Sequence, residues 1–377
     1  MHIAIVAGET SGDALGAGLI RALRQYYPDA RFSGIGGDRM CAEGFETLFP
    51  MERLSVIGII EPLKRLPELL HIRKAVKKHC LEQQVDVFIG IDAPDFTLNI
   101  ERYLRQRGIK AVHYVAPTVW AWRQGRIKGI KRSVDLMLTI FPFEAAFYQE
   151  HQVRVRFVGH PMADKVAMDI DTAAAKRKLD IDPERHVVTL MPGSRSSEII
   201  LMGELFLQVA ERMQARDPNC FFLLPAASDA RYRQIREMLA SFRGLDIRLL
   251  QGQSQQALAA ADAVLLSSGT GTLETMLYKK PMVVVYKLSP LSYCILSRLI
   301  KVPYIALPNL LADQPLVPEC IQDDANVENL LATLDNTLND SRLRAQQKNE
   351  FSRLHESLRG GGSETAARAI HELLCET

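Results

Sequence analysis

Short runs of β-branched and other apolar residues alternate with amphipathic segments along most of the chain. In the first half, runs such as IAIVAG (3–8), VDVFIGID (85–92) and VDLMLTI (134–140) are separated by segments whose apolar residues recur at helical spacing. The pattern resumes after residue 186 with HVVTLMPG, CFFLLPA, DIRLLQG, DAVLLSSG and PMVVVYK. Alternation of this kind predicts α/β architecture, with parallel sheets flanked by helices.

The strand rhythm is interrupted once, at residues 159–182, by glycine, proline and charged residues. A chain of 377 residues also exceeds the usual size of one domain. We therefore predict two Rossmann-like, doubly wound domains facing a central cleft, at 1–163 and 164–340. Residues 341–377 are predicted to form C-terminal helices, which either pack back on the first domain or are exchanged within a homodimer.

Composition and charge exclude several classes of protein. The net charge is only +2, so nothing favours nucleic acid as a partner. No signal peptide follows Met1 and no apolar run approaches the roughly 20 residues that span a bilayer, which predicts a cytoplasmic, soluble or peripheral protein. The six cysteines are scattered, so we expect free thiols and no metal site.

Two loops in the second half combine small residues with a strand end and a helix start. One contains Ser268, Gly269, Thr270, Gly271 and Thr272, and the other contains Gly193, Ser194 and Arg195. Either loop alone could be a solvated turn or a phosphate cradle. Arginine adds the planar cation that suits a diphosphate, and Glu274 could bind a ribose or simply face the helix dipole. The two loops together favour a nucleotide-diphosphate site.

Carboxylates occupy the corresponding loops of the first half. Glu9 lies in VAGETSGD, where it could bind a ligand or complement a helix dipole. Asp92 and Asp95 flank Pro94 in IGIDAPDF; we expect Asp95 to cap the following helix. Asp92 lies on the strand side of the proline, so we predict that it faces the cleft and can take a proton from a hydroxyl nucleophile.

Two further segments suit a partly apolar, anionic ligand. Trp120, Trp122 and Arg123 lie together in PTVWAWR, which is either a packed surface loop or part of an acceptor site. Residues 56–78 mix lysines and arginines with apolar residues that include Leu66, Leu69 and Leu70. This segment is either a core-facing helix or a basic amphipathic helix at an anionic membrane surface.

Seven fragments, in order, resemble the lipid-A-disaccharide synthase family: VAGETSGD, IGIDAPDF, PTVWAWR, FVGHPMAD, PGSRSSEI, SSGTGTLE and LPNLLAD. The resemblance implies a GT-B glycosyltransferase without cofactor or metal. Its substrates would be UDP-2,3-diacylglucosamine and 2,3-diacylglucosamine 1-phosphate, and its products a β(1→6)-linked disaccharide 1-phosphate and UDP. It also implies an enzyme peripherally associated with the cytoplasmic face of the inner membrane.

Carried over by motif, Asp92 is the candidate general base and Glu9 lies beside the reacting centre or positions the acceptor. Arg195, the loop 267–272 and Glu274 belong to UDP recognition, supported by Asn309 of LPNLL. One departure is that family members often read LPNLLAGR where this chain has LPNLLADQ. The rival hypotheses are a UDP-sugar epimerase of similar fold and a nucleotide-binding or lipid-carrier protein without catalysis.

Overall fold

The computed structural model describes residues 1–54, 65–121, 124–288, 293 and 302–376. The chain divides into two compact units. The first consists of Met1–Asp164 and Ser357–Thr377, and the second of Lys165–Glu356. Residues 341–356 therefore belong to the second unit and residues 357–377 to the first.

The first unit contains a seven-stranded parallel sheet. Its strands are β1 (His2–Ala7), β2 (Arg31–Ile35), β3 (Phe45–Thr47), β4 (Val87–Ile91), β5 (Lys110–Tyr114), β6 (Leu136–Thr139) and β7 (Val155–Phe157), in the order β3-β2-β1-β4-β5-β6-β7. The helices are α1 (Thr10–Tyr26), α2 (Asp38–Ala42), α3 (Leu66–Glu82), α4 (Pro94–Arg105), α5 (Ile127–Ser133), α6 (Pro142–Glu150) and α7 (Pro161–Lys165).

The second unit contains a six-stranded parallel sheet in the order β10-β9-β8-β11-β12-β13. The strands are β8 (His186–Met191), β9 (Cys220–Ala226), β10 (Ile247–Gln251), β11 (Ala263–Ser267), β12 (Met282–Tyr286) and β13 (Glu319–Ile321). Its helices are α8 (Thr172–Lys178), α9 (Ser196–Arg216), α10 (Asp229–Leu239), α11 (Ser254–Ala260), α12 (Thr270–Leu277), α13 (Leu307–Ala312), α14 (Val327–Asn339) and α15 (Ser341–Leu358). Helix α16 (Gly362–Cys375) then completes the first unit.

Both sheets are covered by helices on their two faces, as their near-continuous apolar strands require. In β1, Ile3 and Ile5 pack in one core with residues of α1 and α16, whereas Ala4 and Val6 pack in another with α3 and α4. In β8, Val188 packs with α9 and α14, and Val187 packs on the opposite face with α11. The loops that follow the strands are thereby held at one edge of each sheet.

Candidate active site

Glu9 and Asp92 come from neighbouring strand ends in the first sheet. The chain runs outward from β1 in one direction through β2 and β3, and from β4 in the other through β5 to β7. Glu9 follows β1 and Asp92 follows β4, so both lie at the point where the strand order reverses. A Cβ placed on Gly8 would lie 3.1 Å from the Cβ of Ala93, so the two loops are in contact. Ligands of open α/β sheets bind at this kind of crevice.

The backbone at Asp92 is strained. Asp92 and Ala93 have φ angles of 53° and 46°, a region that non-glycine residues rarely adopt in succession. The Asp92 N–H donates to the carbonyl of Tyr114 at 2.9 Å, and the hydroxyl of Thr97 donates to the Asp92 carbonyl at 3.1 Å. The half-buried carboxylate accepts no hydrogen bond from any residue that the structure describes. It is therefore available to a ligand.

Two carboxylates beside Asp92 have different surroundings. Glu9 is exposed at the N-cap position of α1, and its side chain makes no capping hydrogen bond. The expectation that Asp95 caps α4 is wrong. The helix begins at Pro94 after Ala93, so Asp95 lies in the first turn, where its carboxylate accepts a 2.6 Å hydrogen bond from Arg126.

Trp120 belongs to an aromatic cluster at the carboxyl edge of the first sheet. Its ring meets Phe143 edge-on at 4.7 Å between centroids, and its indole N–H donates to Glu144 at 3.2 Å. Burial raises the pKa of Glu144 to about 8, although the Trp120 hydrogen bond opposes this. Phe141 stacks on His160, whose pKa burial lowers to about 4. Trp122 and Arg123 lie outside the described residues.

The second sheet has its reversal point between β8 and β11, and a pocket of about 550 Å³ lies there. The pocket is lined by eight of the ten predicted nucleotide-binding residues: Gly193, Ser194, Arg195, Ser268, Gly269, Thr270, Gly271 and Glu274. The ends of β9 and β10 add Pro225, Ala226, Ala227 and Gly252 to the wall. The predicted loops therefore converge on one cavity.

Glu198 organises the first loop of this pocket. Its carboxylate accepts hydrogen bonds from the N–H groups of Ser194 at 2.9 Å and Arg195 at 3.1 Å, and from the Arg195 guanidinium at 3.1 Å. Gly193 has a φ of 134°, and a side chain there would overlap with Glu198. The Arg195 side chain is nevertheless 75% exposed, so most of its donors remain available at the N-terminus of α9.

The second loop leads directly into α12. Gly269 precedes the helix with a φ of 146°, and the first backbone N–H groups of a helix have no intrahelical acceptor. The Ser268 hydroxyl donates to the Ile305 carbonyl at 2.8 Å, and the buried Thr272 hydroxyl donates to the Gly269 carbonyl at 2.7 Å. Thr272 therefore stabilises the loop through this hydrogen bond and does not line the pocket.

Glu274 is the fifth residue of α12, because the helix already begins at Thr270. Its side chain still lines the pocket. Burial raises the pKa of Glu274, and a hydrogen bond with Ser254 opposes this shift. The half-buried carboxyl group is therefore placed to accept hydrogen bonds from a bound polyol.

Asn309 is buried beneath this region and does not line the pocket. Only 1% of its surface is exposed. Its side-chain NH2 group donates to the Val317 carbonyl at 2.9 Å and to the Glu319 carboxylate at 2.8 Å. Its side-chain oxygen accepts a hydrogen bond from the Val317 N–H. Glu319 also accepts from the N–H of Ile305, whose carbonyl receives the Ser268 hydroxyl. Asn309 can therefore support the pocket only through this chain of hydrogen bonds.

Asp313, where family members often have glycine, ends α13 in a left-handed conformation with a φ of 51°. Glycine is favoured at such a C-terminal position and aspartate is tolerated there. The departure from the family motif therefore preserves the turn.

Helix α3 presents two of the three predicted membrane-facing leucines to solvent. Leu66 and Leu70 are 46% and 49% exposed, whereas Leu69 is only partly exposed. Lys74 continues the exposed row at the same four-residue spacing. The opposite face buries Ile72, Val76 and Cys80 against the sheet.

Residues 56–64 of the predicted segment lie outside the described residues. No helix of the described chain is long and apolar enough to cross a membrane.

Outside the pocket of the second unit, one group of side chains among the described residues has metal-ligating atoms close together. Ligand atoms of His186, Asp217 and Cys220 lie within 4.8 Å of one another. The imidazole of His186 and the thiol of Cys220 both bind the Asp217 carboxylate, at 2.7 and 3.4 Å. Burial raises the pKa of Cys220 to about 12, which disfavours the thiolate that a metal requires.

Comparison with known proteins decides the family. The model of lipid-A-disaccharide synthetase matches residues 3–373. A lipid-A-disaccharide synthase of Pseudomonas aeruginosa is 53% identical over 374 residues, covering 99% of this chain and 98% of the relative. This chain belongs to the lipid-A-disaccharide synthase family. The predicted family and the predicted activity in lipid A biosynthesis are confirmed.

Solved structures with low sequence identity share the fold. A UDP-GlcNAc 2-epimerase from Neisseria meningitidis bound to UDP-GlcNAc has a TM-score of 0.65 at 12% identity and covers 100% of both chains. A glycosyltransferase from Rickettsia africae has a TM-score of 0.62 at 11% identity and covers 100% of this chain and 98% of its own. The predicted glycosyltransferase fold, with two parallel α/β sheets and C-terminal helices, is confirmed.

Proposed function

We propose that the chain transfers diacylglucosamine from UDP-2,3-diacylglucosamine to the 6-hydroxyl of 2,3-diacylglucosamine 1-phosphate. The observation that carries this proposal is the family match over nearly the whole chain, with a polar loop at the reversal point of each sheet. The acceptor chemistry is assigned to the first unit and UDP binding to the second.

Asp92 is the proposed general base. As the acceptor oxygen forms its bond to the anomeric carbon, the bond from that carbon to the diphosphate breaks and the electron pair leaves with UDP. The hydroxyl proton passes to Asp92, whose carboxylate accepts no hydrogen bond within the described chain. An α-linked donor then yields a β bond in one in-line step. Glu9 is assigned a place beside the reacting centre or the positioning of the acceptor, and Trp120 offers an apolar contact surface.

UDP is assigned to the pocket between the ends of β8 and β11. The Arg195 guanidinium and the N-termini of α9 and α12 would stabilise the departing diphosphate, and Glu274 would accept from the ribose hydroxyls. Asn309 is assigned a supporting role through Glu319. None of these interactions requires a metal or another cofactor.

The test of the reaction is incubation of the protein with both lipid substrates, followed by mass spectrometry of the lipid product. A disaccharide 1-phosphate that forms only with both substrates supports the proposal. Conversion of the UDP-sugar without acceptor would favour the epimerase hypothesis, and UDP binding without any turnover would favour a binding protein.

Replacing Arg195 with alanine should weaken UDP binding about 10- to 100-fold, because hydrogen bonds to charged groups contribute about 1.5–3 kcal/mol. Isothermal titration with UDP measures this. Arg236→Ala, which removes an exposed arginine of α10 outside the pocket, is the control and should bind UDP normally. An unchanged affinity of Arg195→Ala for UDP would remove Arg195 from the site.

We also propose that α3 attaches the protein peripherally to the anionic cytoplasmic face of the inner membrane. Leu66 and Leu70 would enter the interface while Lys74 meets anionic headgroups. We expect the double variant Leu66→Ser/Leu70→Ser to bind anionic phospholipid vesicles about tenfold more weakly in co-sedimentation, since each leucine loses apolar burial.

The thermal unfolding temperature of that variant should stay nearly unchanged, because both leucines are exposed. Leu81→Ser, at the far end of α3 and 38% exposed, is the matched control and should retain vesicle binding. Vesicle binding by the double variant equal to that of the wild type would place the membrane-facing surface elsewhere.

Formation of a homodimer remains a proposal that ultracentrifugation can test.

A further inference from the structure

A second cavity, of about 290 Å³, lies at the amino edge of the second sheet. Of its lining residues, Asp262 directly precedes β11 and Lys280 lies two residues before β12. The proposed UDP pocket instead follows the carboxyl ends of β8 and β11. The rest of the wall comes from the neighbours of these two residues, from the segment that leads into α8 and from the first turns of α15. The two cavities are therefore at opposite edges of the same sheet.

The lining of this amino-edge cavity is predominantly basic. Its cationic side chains are Lys279, Lys280, Arg344 and Lys348, and its acidic side chains are Asp169 and Asp262. The Asp262 carboxylate is already engaged by the ammonium of Lys176 at 2.7 Å and the N–H of Val187 at 2.8 Å. The cavity consequently carries a net positive charge that its own acids do not neutralise.

Lys280 is buried in this positive environment, with only 5% of its surface exposed. Its ammonium donates to the Thr172 hydroxyl at 2.6 Å, a neutral oxygen that satisfies one of three donors. Burial lowers the pKa of Lys280 to about 8; Asp262 opposes this shift, and Lys176 and Lys348 add to it. A buried ammonium of this kind is stabilised by a nearby anion.

Two side chains of α15 supply further donors. The Nε of Arg344 is buried and has no hydrogen-bond partner among the residues that the structure describes. Lys348 lies one turn further along the helix and is exposed at the rim. Guanidinium and ammonium groups that converge from different elements match the several oxygens of a phosphate group.

We propose that the amino-edge cavity is a second anion-binding site, which takes the phosphate group of inorganic phosphate or of a small phosphate monoester. Lys280 and Arg344 contact the phosphate oxygens from inside, and Lys348 closes the rim. The ammonium of Lys279 is fixed by the Ala167 carbonyl at 3.0 Å and lies 2.6 Å from His355 Nδ1, so it contributes charge from a set position.

The test measures thermal unfolding of the full chain in saturating UDP, which keeps the nucleotide pocket occupied. Inorganic phosphate and glucosamine 1-phosphate are compared with chloride at equal ionic strength. At ten times the dissociation constant, phosphate should raise the Tm by about 2–4 °C. Because glucosamine 1-phosphate resembles the proposed acceptor, only the part of its shift that the lining variants abolish reports on this cavity. If that part exceeds the phosphate shift, the ligand is a monoester; if the two are equal, it is inorganic phosphate.

Variants Arg344→Gln and Lys348→Gln should each weaken phosphate binding at least about tenfold. Arg342→Gln is the matched control, because Arg342 is an exposed cation of α15 that does not line the cavity. Each variant is judged by its phosphate-induced shift relative to its own Tm in chloride, so a change in basal stability does not obscure the result. Absence of a shift in the wild type, or a full shift in both lining variants, would overturn the proposal.

Discussion

Replacing Asp92 with asparagine is expected to reduce kcat by about 10²- to 10⁴-fold, the range that a general base contributes. The amide has nearly the same shape but cannot accept the hydroxyl proton. UDP affinity should be unchanged, because the described residues that line the proposed UDP pocket belong to the second unit and Asp92 belongs to the first. Mass spectrometry of the disaccharide product gives the rate, and isothermal titration gives the affinity.

Asp95→Asn provides the matched control, since it removes an exposed carboxylate three residues away that binds Arg126. It should retain most of the turnover. If Asp92→Asn were as active as the wild type and Glu9→Gln were inactive, the role of base would pass to Glu9. That outcome would leave the strained backbone at Asp92 and Ala93 as a structural feature of the turn.

The position of both candidate sites could be predicted because it follows from strand order. Each predicted loop comes directly after an apolar strand, and parallel strands bring all such loops to one edge of a sheet. The Gly193 and Gly269 loops were accordingly expected near one another, and they line one pocket. The sugar and its acyl chains were implied only by the family resemblance.

Side chains that complete the sites were harder to foresee. Glu198 is the third residue of α9, and a glutamate there is typical of a capping arrangement, so the PGSRSSEI motif did contain the signal. Glu144 is likewise the third residue of α6, and its carboxylate accepts from the Phe141 N–H, so the sequence contained the same signal there. The burial that shifts the pKa values of Glu144 and His160 is visible only in the fold. The basic cavity joins residues near 170, 280 and 344, which only the fold brings together.

A buried, hydrogen-bonded pair supports the loop that carries Asp92, and its loss should have the largest effect on stability. Glu101 of α4 and His113 of β5 are both fully buried, with Oε1 and Nδ1 2.8 Å apart. A side chain at Gly90, two residues before Asp92, would overlap with Glu101, so the carboxyl group lies directly against β4. Burial raises the pKa of Glu101, and His113 opposes this shift.

Glu101→Leu should lower the free energy of unfolding of the first unit by about 3 kcal/mol, because it leaves a buried imidazole without its hydrogen-bond partner. Glu101 Oε2 and His113 Nε2 already lack hydrogen-bond partners among the described residues, so no neighbouring group there is placed to compensate. Urea unfolding followed by tryptophan fluorescence isolates this unit, since both tryptophans of the chain, at positions 120 and 122, belong to it. Glu101→Gln keeps an acceptor for His113 and should cost only about 1–2 kcal/mol. Equal stability of Glu101→Leu and the wild type would mean that apolar packing replaces the pair, and that the Asp92 loop is held by its backbone hydrogen bonds alone.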